Sequence, residues 1–446
     1  MRRYLTIYGK RVVLKTLALS KLTNIFMLLP CPPTNDIAML KREIFKFTWN
    51  NGPDKIKRSY MLREFGIPCL KTYNDSLKLS WIRRLLCSES SWKRYFMSSL
   101  ADSDLLFTCG DKSAHKICFA GMNPFWKEVV ELWDEFKNSF MVDSLNINEQ
   151  PFLLSSFFQR CNAAICNKRL YESGCRYVGD LMSQEGQIMA YEDLTATFRI
   201  DIPRLEFMGI IRAIKKTYSG QMPARSVGPT MQPALECALM PTSGCGHYYR
   251  TLITGRYGSE RPQLKSEIKW NIELGNTFDW CQLYKRAHIS IKDTALVWFQ
   301  DKILHRILTT NTFVAKFTSS TELCTFCDDE RETLLHLFVT CPKVRIVWEH
   351  VECRIEDKLG IKVMLGKADI IVGLDDRYQM SLEDMNGVQR LILLAKYYIY
   401  RTKAAKGLLS SVSLNNYCRC HTYAEWRYKQ TDKERKQYEV HRKLCE

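Results

Sequence analysis

LCTFCDDERETLLHLFVTCPKVRIVW, residues 323–348, places Cys324, Cys327, His336 and Cys341 within one eighteen-residue window. The spacing is C-x2-C-x8-H-x4-C. Two cysteines separated by two residues can aim both sulfurs at one ion across a tight turn, here Thr325–Phe326. Tetrahedral zinc is satisfied by three thiolates and one imidazole. The residues between Cys327 and His336 leave room to turn and to start a helix at about Arg331–Thr333, with the acidic run Asp328–Asp329–Glu330 at its positive end. His336 then rides on that helix, and Cys341 follows just over one turn later. A C-x2-C pair alone would suit two buried thiols equally well; a histidine and a third cysteine at ligand distances turn the reading to metal. Four ligand-type residues with no open position point to a structural rather than a catalytic zinc. A second cluster, Cys418, Cys420 and His421, crowds its donors too closely for a good four-ligand cage.

Outward from this window the chain reads as helices. Upstream, KDTALVWFQDKILHRILTTN repeats apolar residues at 296, 299, 303 and 307 behind an Asp293 cap. Downstream, LILLAKYYIYRTKAAKGLL is helical with a basic end, and a charged helical tail follows. Near the start, a helix must stop before Pro30–Cys31–Pro32–Pro33, because proline lacks the amide and crowds the preceding turn. Asn35 or Asp36 can cap the next helix, whose Ile37, Leu40, Ile44 and Phe47 recur at helical spacing and which ends at Asn50–Asn51–Gly52–Pro53. Another helix is expected from a cap at Asn74 or Asp75. The stretch 219–246 is rich in Gly, Pro and Ser and reads as a linker. The fold class is therefore mainly α: a multidomain helical architecture with a small CCHC zinc-binding module. The expected divisions are 1–140, 141–265, 266–350 and 351–446.

The formal charge of +17 points to an anionic partner, most simply nucleic acid. It sits at the ends: residues 1–60 carry +9 and residues 396–446 carry +7. Candidate phosphate contacts are Lys10, Arg11, Lys15 and Lys21, read as one side of a helix, with Lys41, Arg42, Lys57 and Arg58 extending the patch. Tyr4, Tyr8, Trp49, Tyr397, Tyr398 and Tyr400 are candidates for base stacking. Most of the eighteen cysteines, such as Cys118, Cys161 and Cys281, lie in apolar surroundings, which suggests small hydrophobes in a reducing compartment. The Arg-rich, acid-free start has the composition of a transit peptide, yet Lys10, Arg11, Lys15 and Lys21 interrupt it and no cleavage-like break follows. No weakly charged run near the start is long enough to span a bilayer. The expected location is intracellular, nuclear or cytoplasmic, with no membrane association.

With the window in place, the chain resembles the part of a LINE-type (non-LTR) retrotransposon reverse transcriptase that lies beyond the polymerase palm. LTIYGKRVVLKTLALSKL (5–22) with FMLLP (26–30) is similar to that family's post-palm helix. IFKFTWN (44–50) and SLKLSWIRRL (76–85) are similar to its next two blocks. WFQDKILHRILTTN (298–311), CTFCDDERETLLHLFVTCPKVRIVW (324–348) and LILLAKYYIY (391–400) resemble the lead-in, the zinc-binding domain and the helix after it, in the family's order. By that resemblance Cys324, Cys327, His336 and Cys341 are zinc ligands, and the early helices are a thumb resting on a template–primer duplex. One departure is EFGIPCLKTYNDSLKLSW (64–81), with a single Gly66 where the family has a Gly-Gly-Leu turn.

Polymerase chemistry needs paired carboxylates around two metal ions. The Asp–Asp pairs here are Asp328–Asp329, inside the zinc turn, and Asp375–Asp376, without the preceding aromatic or a strand hairpin. There is also no phosphate-cradling glycine loop, nucleophile elbow or HExxH. The expectation is a non-catalytic, zinc-containing remnant of such an element, binding RNA or DNA through phosphates, with other retrotransposon proteins as further partners. The alternative is a protein-interaction module that zinc staples without nucleic-acid contact.

Overall fold

The computed structural model describes residues 5–87, 90–100, 105–118, 121–144, 147–183, 185–217, 244–258, 261–374, 376–427 and 439–445. It is mostly helical, as the periodicity predicts, and carries a Cys/His cluster compatible with a small metal-binding module. The linker expected over 219–246 falls outside the described residues as far as 243, and Cys245 already opens a helix. Two compact units are present. One comprises Arg11–Pro53 and Lys57–Arg261; the other comprises Met1–Lys10, Asp54–Ile56 and Pro262–Glu446.

A helical run opens the chain: α1 (Ile7–Val13), a π-wound segment (Leu14–Leu19) and α2 (Ser20–Leu28). It stops at Leu29, which is extended at φ −111° and ψ 156°, the conformation that the following proline imposes. Helix α3 (Thr34–Thr48) packs the expected Ile37, Leu40 and Ile44 against the core formed by Leu19, Phe26, Leu70 and Leu77, while at its end Phe45 and Thr48 are buried in place of Phe47, which is exposed. Asn50 and Asn51 then take left-handed φ values of 52° and 62° and end it.

Helix α4 (Arg58–Arg63) is joined to the central α5 (Leu70–Cys87) by a turn in which Gly66 has φ +63°, the left-handed conformation that glycine tolerates best. Asn74 and Asp75 do not cap α5. They lie in its interior, fully buried, because α5 is covered by α2, α3, α6 (Pro124–Ser144) and α7 (Cys245–Tyr257). Two of its buried charged residues are answered by those neighbours: Arg256 reaches Asp75 at 2.6 Å, and Lys78 meets Glu128 at 2.5 Å. Removing one partner of such a pair typically costs about 3–5 kcal/mol. Strands β1 (Gln159–Arg160) and β2 (Ala163–Ala164) form a hairpin whose two turn residues, Cys161 and Asn162, both have positive φ. Cys161 is therefore exposed on a turn tip and Cys281 is exposed as well, contrary to the expectation that both are core thiols.

In the other unit the core surrounds α11 (Leu382–Ala404). Around it pack α8 (Trp280–Ser290), α9 (Thr294–Leu304), α10 (Arg345–Leu359), α12 (Ser411–Arg427) and α13 (Glu439–Cys445). Asp293 caps α9 as expected, accepting from the Ala295 amide at 2.7 Å. Tyr8 joins this unit: its hydroxyl donates to Asp301 at 2.5 Å and lies 3.0 Å from His288 Nε2. Among the described residues no helix is long and apolar enough to cross a membrane.

Candidate metal centre

The Cys/His window folds as a knuckle followed by a short helical turn. Leu323 and Arg331 pair as an antiparallel bridge, and Cys324 N donates to Glu330 O at 2.8 Å. The turn closes where Asp328 N reaches Cys324 O at 2.9 Å, with Asp328 at φ 53°, a region aspartate enters more readily than most residues. Thr333 then caps the helical turn, its Oγ1 accepting from His336 N at 3.0 Å. The turn is shorter than expected and is not α throughout: His336–Thr340 is π-wound, closed by Cys341 N to His336 O at 3.0 Å. The winding matters. Five residues of α-helix would leave His336 and Cys341 about 140° apart around the axis, whereas an i→i+5 ring brings the second back over the first.

All four ligand atoms lie within 4.8 Å of one another. The Cys324 and Cys341 sulfurs are 3.8 Å apart, and Cys327 Sγ is 3.4 Å from His336 Nε2. A tetrahedral ion with bonds of about 2.3 Å to sulfur and about 2.05 Å to nitrogen needs edges of about 3.8 Å and about 3.5 Å. The donors fit such an ion. Backbone amides of Phe326 and Cys327 point at Cys324, those of Asp329 and Glu330 at Cys327, and that of Lys343 at Cys341, all favouring the thiolate form. Burial pushes the Cys341 thiol up to about 12 and raises Cys324 too. Burial also acts to raise Cys327, but the Glu330 and Asp329 amides, His336 and Cys324 outweigh it and hold that thiol down to about 7.

Two glutamates that the motif spacing does not single out complete the site. Glu330, read from sequence as part of a helix-terminal acidic run, has its Oε2 3.0 Å from His336 Nδ1, and Thr340 Oγ1 is 3.3 Å from the same nitrogen. A carboxylate on Nδ1 fixes the tautomer in which the Nε2 lone pair faces the sulfurs. Glu332 is fully buried. It accepts from Asn311 N at 2.8 Å, contacts Thr325, and pairs with Lys403 of α11 at 2.5 Å. The knuckle is thereby tied to the central helix, and Leu337, Phe338 and Trp348 seat it on the core, the Trp348 indole donating to Phe338 O at 2.7 Å.

The other candidates fare differently. Cys418 is buried, Cys420 is exposed, and His421 lies 3.3 Å from Asp293 and 3.1 Å from Arg390, so this second cluster forms no metal-holding group among the described residues. Of the proposed phosphate contacts, Lys15, Lys21, Arg42, Lys57 and Arg58 are exposed, while Arg11 and Lys41 are half-buried. Arg11 donates to Phe65 O at 3.4 Å, and Arg58 stacks 4.7 Å above the Phe45 ring. Lys10 corrects the expectation of one basic helix side. It is only 5% exposed, and burial pulls its ammonium below the usual lysine range. Among the aromatics, Tyr4 lies outside the described residues, and Tyr398 is buried. Tyr397 and Tyr400 pack on Phe299.

No protein-family model matches the chain, and no curated protein is significantly similar to it.

Proposed function

We propose that this chain is a non-catalytic, zinc-containing nucleic-acid-binding protein related to the post-palm part of LINE-type reverse transcriptases. The observation that carries the zinc is the Cys324–Cys327–His336–Cys341 cage, whose donor separations suit a tetrahedral ion. Three thiolates and an imidazole favour zinc over hard, oxygen-seeking cations. The ion closes the knuckle and performs no chemistry, since all four positions are filled by protein. The resemblance to the retrotransposon enzymes supports the nucleic-acid reading, as does the exposed set Lys15, Lys21, Arg42, Lys57 and Arg58, whose contacts would be with RNA or DNA phosphates and carry little sequence preference. An intracellular location follows from the same reading.

The test is a salt titration of RNA and DNA binding by the full chain. Neutralising about four to six phosphates gives a log–log slope of roughly −3 to −5. No measurable affinity at about 50 mM salt would remove the nucleic-acid reading. A second reading, an interaction module stapled by zinc, gains from the burial of Lys10 and the packing of Tyr397, Tyr398 and Tyr400. It expects a flat salt response and a metal content unchanged from the first reading.

A further inference from the structure

Outside the Cys/His cluster, the second unit buries a lysine that has no acid beside it among the described residues. Lys396, on α11, is 2% exposed. Its ammonium donates to Gln300 Oε1 at 2.7 Å and to Ile371 O at 3.3 Å, both neutral acceptors. Buried cations are ordinarily paired, as Lys78 is with Glu128 and Lys137 is with Asp134 at 2.6 Å. Lys396 has three protons and two protein acceptors, and it borders a cavity of about 20 Å³. The described lining contains Leu283, Arg286, Ser290, Gln300, Gly373 and Gln389, with no carboxylate. The polar groups there are mostly donors. The Gln389 amide gives one N–H to Leu374 O at 2.9 Å and has a second, and Arg286 donates to Leu374 O at 2.5 Å.

We propose that this cavity is a binding site for a single small monovalent anion of halide size, held by the Lys396 ammonium. The volume admits one water-sized occupant and excludes phosphate, sulfate and organic carboxylates. A halide supplies the negative charge that the protein leaves out and accepts the third ammonium proton. The titration of the lysine agrees with this: without a counter-charge, burial pulls Lys396 down to about 7, and a bound anion would lift it again.

The experiment uses the full-length protein with its metal, melted at pH 7 and constant ionic strength while sodium gluconate is replaced by sodium chloride or bromide. The expected result is a saturating rise in Tm of about 3 °C in halide. Bromide-competed broadening of the ³⁵Cl resonance should report the same site. Lys396→Met should abolish both signals. Ala287→Val, which narrows the cavity while keeping the lysine, should weaken them and serves if Lys396→Met does not fold. Identical melting in gluconate and halide, or a halide response that survives both substitutions, would overturn the proposal and leave the cavity to one ordered water.

Discussion

The Cys/His knuckle and the basic N-terminal helices were both legible as patterns of residue type, yet they differ in what folding did with them. In the knuckle every patterned residue converges: the four ligand atoms meet within 4.8 Å. In the N-terminal region the patterned residues scatter. Lys10 is buried, Arg11 serves a backbone carbonyl, Arg58 stacks on Phe45, and Lys15 and Lys21 face solvent. A ligand motif is a set of short-range geometric demands within eighteen residues, so the spacing itself names the residues that can meet. A charge excess is a sum over residues. It constrains the total and says nothing about which ammonium the core will cover.

The sharpest way to break this comparison is Cys327→Ser. Metal content of the reduced protein should fall from about one ion per chain to near zero. Most of the far-UV helical signal should stay, because the core formed by Trp133, Phe136 and Leu252 includes none of the four Cys/His residues. Wild-type protein purified without chelator and devoid of metal would end the zinc reading.

Glu330→Ala probes whether convergence extends beyond the ligands. The side chain is 63% exposed, so its removal leaves the core intact while freeing His336 Nδ1. Zinc affinity in a chelator competition should drop by about 10- to 100-fold. An unchanged affinity would mean that Thr340 alone orients the ring.

In the scattered region, exposed and buried cations should separate cleanly. Changing Lys15, Lys21 and Arg42 together to Gln should weaken binding to all sequences alike and flatten the salt slope by about two units. Lys10→Gln should leave the slope untouched and shift only the melting temperature. If Lys10→Gln flattens the slope instead, the burial of that lysine is not what governs its role.

The smallest expected effect concerns the part of the N-terminal segment given over to the core. Burial raises the Asp301 carboxyl to about 7, against a smaller opposing contribution from the Tyr8 hydroxyl. Its folded value lies above its unfolded one, so the folded state holds the extra proton. The associated stability is fully present below about pH 4 and is lost as pH rises toward 7. Asp301→Asn should remove that decline, measured as Tm between about pH 4.5 and 7. A decline of equal steepness in the variant would assign it to other groups.

Local sequence determined the helical class, the Asp293 cap and the stop before Pro30, because each depends on neighbours within a turn or two, and spacing named the Cys/His cluster that could hold a metal. Tertiary structure alone decided the rest. Asn74 and Asp75 look like a helix start in isolation but lie inside α5, where Arg256, nearly two hundred residues away in sequence, answers the carboxylate. The π winding at His336–Thr340 and the hold of Glu332 on Lys403 likewise need the core beneath the knuckle. Burial is a property of what packs on a residue, and that packing comes from distant chain, so no local pattern could announce which lysine would be covered or which glutamate would reach a histidine.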